Sequence, residues 1–205
     1  DSDYNWGIYL VKKGYLDEEE YKVKNQKFFE EYQHGKLDIF AFAEFQFQFL
    51  KNNTRKFLND VRSDYIDEII KPMVLKKAVD LVSQHKEAGD SLLIITATNS
   101  FITKPIGELF GIENLIGTDP EEHLGEFTGK VKGTPSFKEG KVTRLFDWLD
   151  ARDFKLTDFE KTFFYSDSHN DLALLEVVTN PVVVNGDKIL LEKAQEKNWP
   201  TLNLK

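Results

Sequence analysis

The chain has 205 residues, 40% hydrophobic and 30% charged, enough for one good core or two small domains. A net charge of −8 argues against a general nucleic-acid surface or an anionic-membrane patch, since both need clustered Lys and Arg. The absence of cysteine excludes disulfides, thiolate metal sites and Cys nucleophiles, and it fits a cytoplasmic setting. No apolar run approaches a membrane span, and no signal-peptide pattern opens the chain.

The start, Asp1-Ser2-Asp3-Tyr4-Asn5-Trp6-Gly7, has no initiator Met and no strand before it, so residues are expected to precede Asp1. From about residue 6 to 71 the pattern is helical. Gly14 and Gly35 break it, and Asp17-Glu18-Glu19-Glu20 places acids in a first turn. The aromatic run from Ile39 to Leu50 alternates like a strand over 45–49. However, Phe42, Phe45 and Phe49 share a helical face among good helix formers, and a helix is expected. Residues 54–70 form another amphipathic helix, bounded by Lys71-Pro72 because the residue before proline resists the helical region.

The grammar then changes. After a helix from Val74 to Lys86, the run Leu92-Leu93-Ile94-Ile95 reads as a strand buried on both faces, ending at Thr96. Asn99 and Ser100 lie in the polar stretch before a helix over 101–110. A short strand at 115–118, a hairpin flap at 126–132 and a helix at 138–151 follow. A strand at 163–165 runs into Ser166-Asp167-Ser168-His169-Asn170-Asp171. Further elements are a strand at 182–184, a helix at 188–197 and an edge strand near 202–204. Alternating strands and helices predict an α/β fold, a Rossmann-like doubly wound parallel sheet. The division is an all-helical cap over 1–72 and a core over 73–205.

In a parallel sheet the strand ends lie on one edge, where ligands bind. That edge gathers Thr96, Asp167 with Asp171, and Asn185 with Asp187. Lys141 opens a helix packed on the same sheet. A hydroxyl, a lysine and two carboxylates suit a phosphate held beside Mg²⁺: carboxylate oxygens are hard ligands, and the ammonium neutralises phosphoryl oxygens. Blander roles exist for each. Thr96 or Asn170 could cap a helix, Asp171 could decorate a first turn, and Asn99 could serve its loop.

These residues resemble the motifs of the haloacid dehalogenase superfamily, subclass IB, the phosphoserine-phosphatase-like phosphohydrolases. Leu93-Ile94-Ile95-Thr96 looks like the second motif, Lys141 like the third-motif lysine, and Ser166 to Asp171 like the fourth, whose acids serve the Mg²⁺ site. The helical region takes the place of that subclass's cap. The first motif, a strand followed by Asp-x-Asp that supplies nucleophile and general acid/base, is not found; Asp1-x-Asp3 imitates it without a strand. On motif spacing the nucleophile is expected about nine residues before Asp1. As given, the chain is therefore not expected to form the family's aspartyl-phosphate.

The resemblance implies catalytic roles for Thr96, Lys141 and Asp171, and Mg²⁺ ligation by Asp167, with Asp171 in direct or supporting contact. It implies substrate contacts from Asn99 and Asn170. Asp1 takes the place of the carboxylate that holds the ammonium of phosphoserine. Gln46 takes the place of a cap arginine that holds its carboxylate, and an amide is a poor substitute for that fork. The expected substrate is a small phosphorylated metabolite, histidinol phosphate ahead of phosphoserine. A non-catalytic phosphate-binding protein and a receiver domain are the competing classes. Oligomeric state is left open.

Overall fold

The computed structural model describes residues 2–205; Asp1 lies outside them. The helical region comprises α1 (Ser2–Lys12), α2 (Glu18–Gln33), α3 (Ile39–Lys51), α4 (Arg55–Tyr65) and the short α5 (Lys71–Met73). Its starts are capped as the sequence suggests: Asp17, Asp38 and Thr54 accept hydrogen bonds from backbone N–H groups of the first turns. The aromatic run is helical, because its alternate phenylalanines find partners on several sides. Phe47 and Phe49 are buried, Phe28 meets Phe42 and Phe45, and Phe49 meets Trp6. Pro72 does not stop the helix at Lys71 as expected. A π turn, Ile66–Ile70, widens the backbone just before it, and the helical path continues to Met73.

The second region begins with α6 (Lys76–Glu87) and β1 (Leu93–Asn99), followed by α7 (Ser100–Leu109) and β2 (Asn114–Thr118). A hairpin of β3 (Pro120–His123) and β4 (Glu126–Val131) leads to α8 (Glu139–Asp150). Next come β5 (Phe163–Ser166), α9 (Leu172–Leu175), β6 (Asn180–Val184), α10 (Lys188–Lys197) and β7 (Thr201–Leu202). β1 pairs with β2 in parallel, and β5, β6 and β7 form a second parallel group. The parallel α/β core is as expected. Among the described residues β1 and β5 share no ladder, so each keeps one edge without a strand partner. That open edge explains why Leu93, Ile94 and Ile95 are only half-buried instead of fully enclosed.

α8 bridges the two groups. Leu145 and Leu149 pack with Leu174, Leu93, Ile95 and Phe164 in one cluster. A second bridge is polar: His85 on α6 contacts Asp90 at 2.6 Å and the Tyr165 hydroxyl at 2.7 Å. The helical region shares its largest hydrophobic cluster with the α/β region. Trp6, Phe47, Phe49 and Tyr65 pack with Phe101, Ile102 and Phe127. Burial at this seam holds the helices over the C-terminal ends of β1 and β2. No helix among the described residues is long and apolar enough to cross a membrane.

Candidate active site

The loop after β5 is wired by its own side chains. Ser166 Oγ donates to Asp171 Oδ2 at 2.7 Å and accepts from the Ser168 N–H at 3.1 Å. Ser168 Oγ in turn accepts from the Asn170 N–H at 3.2 Å, capping the short turn His169–Asp171. Asp187, at the start of α10, accepts from the backbone N–H groups of His169 and Leu190 at 2.7 and 2.9 Å, and its own N–H donates to the Asp167 carbonyl at 2.9 Å. Burial raises the Asp187 carboxyl, but these N–H donors and His169 outweigh it and hold the group below its ordinary value. Asp187 thus fixes the loop from outside.

Lys141 lies in the first turn of α8, where a cation is disfavoured by the helix dipole. Its place is enforced by packing: a Cβ on Gly140 would lie 2.2 Å from the Pro135 carbonyl oxygen, so only glycine lets the preceding loop close over the helix start. Lys141 Nζ meets Asp171 Oδ1 at 2.5 Å, with side-chain exposures of 8% and 9%. Both Asp171 oxygens are therefore occupied, one by Lys141 and one by Ser166. Asp171 was expected to ligate the metal directly or to support the site, through water or by orienting Lys141; its contacts to Lys141 and Ser166 are those the orienting role would use.

Thr96 is not at the strand end, where the sequence suggested. The ladder is regular to Ile95, then shifts, and resumes at Asn99 opposite Thr118. Thr96 sits in that bulge with its Oγ1 accepting the Thr98 N–H at 3.2 Å, leaving its hydroxyl hydrogen free to donate. Asn99 is buried at the end of β1. Its Oδ1 caps α7 through the Ile102 N–H at 3.0 Å, and its Nδ2 donates to Asp3 Oδ1 at 3.3 Å. Gln46 is buried on α3 in the helical region.

Asp167 is exposed, and its carboxylate has no hydrogen bond or ion pair among the described residues. Asn170 is buried, and its Oδ1 has no partner. A free carboxylate two residues before a strand-end turn that buries an orphaned carbonyl oxygen is a hard-oxygen donor set suited to Mg²⁺, which completes its shell with waters and substrate oxygens. No group of three or more His, Asp or Glu suited to a metal occurs among the described residues.

Sequence reasoning missed four side chains. Ser166 was quoted without its role in gripping Asp171. Tyr32 of α2 reaches Ser168 Oγ at 2.7 Å and tethers the helical region to the loop. Asp3 and Tyr21 lie where α1 and α2 face α3 and the end of β1. Ser166 acts within its own loop, but only the tertiary fold places Tyr32, Asp3 and Tyr21, so no local spacing could reveal those three.

A parallel α/β core with a buried lysine–carboxylate pair, a free hydroxyl and an open carboxylate along one rim is the arrangement of a phosphoric monoester hydrolase. The chain belongs to the haloacid dehalogenase-like hydrolases, whose family model it matches over residues 1–176. A histidinol-phosphatase of Neisseria meningitidis is 46% identical over 206 residues, covering 100% of this chain and 93% of the relative. A phosphoserine phosphatase of Mycobacterium tuberculosis is 30% identical over 133 residues, 65% of this chain and 42% of that protein. Among solved structures, a Bordetella pertussis protein of unknown function superposes with a TM-score of 0.95 at 40% identity, covering 100% of this chain and 92% of the other. A substrate-bound phosphoserine phosphatase superposes with a TM-score of 0.65 at 17% identity, over 97% and 85% of the two chains, a likeness of fold. Phosphatases of this family generally use Mg²⁺.

Proposed function

We propose that this chain serves a Mg²⁺-dependent phosphatase that hydrolyses a small amino phosphate, histidinol phosphate being the best match. The observation that carries the reading is the buried Lys141–Asp171 pair beside the open Asp167. The full-length relationship to a histidinol-phosphatase favours that substrate. So does Gln46, a neutral amide where a carboxylate-bearing substrate such as phosphoserine is better served by a cation.

The chain's residues divide the work as follows. Asp171, held by Ser166, aims the Lys141 ammonium at the rim, where it offsets phosphoryl charge. Thr96 donates its hydroxyl hydrogen to a phosphoryl oxygen, while the Thr98 N–H fixes its orientation. Asp167, with Asn170 Oδ1, would hold Mg²⁺, which when bound would neutralise charge on the transferring group. Family chemistry passes the phosphoryl group to an aspartate, breaking the ester P–O bond, and water then hydrolyses the acyl phosphate. No described residue is assigned that nucleophilic role.

The test is phosphate release from a panel of phosphomonoesters with and without Mg²⁺, for wild type and Asp167→Asn. Release that depends on Mg²⁺, and falls at least about a hundredfold in Asp167→Asn, is the expected result. Full activity in the presence of a chelator, or in the variant, contradicts the metal assignment.

A further inference from the structure

We propose that Tyr32, on the helical region, is a positioning residue for the cation site: through Ser168 it sets the aim of Asn170 Oδ1, so the seating of α2 bears on metal binding. This rests on the Mg²⁺ reading above.

Ser168 is the shared anchor of the loop after β5. Its Oγ meets the Asn170 N–H at 3.2 Å, the Asn170 Nδ2 at 3.4 Å and the Tyr32 hydroxyl at 2.7 Å. The two contacts from Asn170 are long for N–H···O bonds, whereas the one to Tyr32 has the usual O–H···O length. The closest hold on Ser168 Oγ thus comes from the other region, 136 residues away in the chain. A hydroxyl carries one hydrogen and two lone pairs. Asn170 occupies both lone pairs, so the Ser168 hydrogen is donated to the Tyr32 oxygen.

Asn170 depends on this anchor. It is buried, its Oδ1 has no partner, and Nδ2 to Ser168 is the one hydrogen bond on its carboxamide among the described residues. With the phenol oxygen removed, the Ser168 hydrogen needs another acceptor, and the orphaned Asn170 Oδ1 in the same turn competes for it. An oxygen so engaged is withdrawn from the cation. Tyr32 is well placed for the role. It lies in the last turn of α2, its ring half-buried against Phe137 and His169 with centroids 6.3 and 6.2 Å away. α2 buries only Tyr21 fully, so its seating rests on such end contacts. The second tether, Lys138 to the Gly35 carbonyl, does not pass through Ser168 and serves as the control.

The test is binding of Mn²⁺ alone, a stand-in for Mg²⁺ at oxygen ligands, read by electron paramagnetic resonance on the full-length protein without substrate. Tyr32→Phe keeps the ring and is expected to weaken Mn²⁺ binding about three- to tenfold, the low end of what partners of metal ligands contribute. Ser168→Ala is expected to weaken it at least as much, and adding Tyr32→Phe to Ser168→Ala should cost nothing further, since both act on one path. Lys138→Met is expected to leave Mn²⁺ affinity unchanged. Wild-type affinity in folded Tyr32→Phe, a second full loss in the double variant, or an equal loss in Lys138→Met overturns the proposal. Should Tyr32→Phe fail to fold, undiminished affinity in Ser168→Ala overturns it. A merely structural tether would lower the melting temperature and leave the affinity intact. Loss of Mn²⁺ in Asp167→Asn but not in Tyr32→Phe defeats this proposal alone; binding that persists in Asp167→Asn defeats the metal reading with it.

Discussion

Lys141 and Asp171 show why a first-turn lysine, unfavourable by helix electrostatics, is retained: its ammonium is the buried partner of a carboxylate that Ser166 also grips. Removing one member leaves the other charged and dry. Lys141→Met is expected to lower unfolding free energy in urea by about 3–5 kcal/mol, whereas Lys141→Met with Asp171→Leu recovers much of the loss. Asp3 gives the opposite kind of prediction. Its folded-state pKa of about 7 lies above the ordinary 3.8, so its protonated form stabilises the fold. That contribution is complete below about pH 3.8 and is lost as pH rises through about 7. Asp3→Asn should flatten the decline of stability over this window and raise the melting temperature at pH 8. An unchanged pH slope in the variant contradicts the raised carboxyl of Asp3. The sequence made Lys141, Asp167 and Asp171 legible because motif order and short spacing carry them. It could not reveal Asp3 with Tyr21, whose meeting depends on how α1, α2 and α3 pack.

Each element is placed by a small number of specific contacts. α2 buries only Tyr21 fully, and Tyr21 approaches α1 where Gly7 leaves no Cβ. Gly7→Ala must displace that tyrosine and is expected to cost about 1–3 kcal/mol, read from denaturant unfolding, despite alanine's better helix propensity. At its other end α2 is tethered through Tyr32 to Ser168, and the Lys138 ammonium donates to the Gly35 carbonyl at 3.0 Å. Tyr32→Phe removes one of these hydrogen bonds, worth about 0.5–1.5 kcal/mol, and should speed amide hydrogen exchange in α2 while α4 is unaffected. α4 is held differently: Arg55 stacks on Phe127 at 3.6 Å and bridges Glu122 at 2.8 Å. Helix existence and type were readable from apolar spacing and caps. Two boundaries were not: the π turn carries the backbone through Pro72, and the β1 bulge carries pairing past Thr96 to Asn99. Both are adjustments of backbone hydrogen bonding that side-chain periodicity does not encode.

On the scale of the molecule, the helical region and the α/β region share one apolar cluster, and the polar groups gather on the side of the strands where those regions meet. β1 joins the phosphate rim to the helical region, the first through Thr96 and the second through the Asn99 contact to Asp3. A substrate with phosphate at one end and an amine at the other suits that layout, and a second carboxylate is poorly served beside neutral Gln46. The central claim is tested most directly by kcat/KM of the full-length protein for histidinol phosphate and for phosphoserine, in Mg²⁺. The account predicts at least about a tenfold advantage for histidinol phosphate, since loss of an arginine–carboxylate pair is worth more than 1.4 kcal/mol. Equal or better turnover of phosphoserine contradicts it.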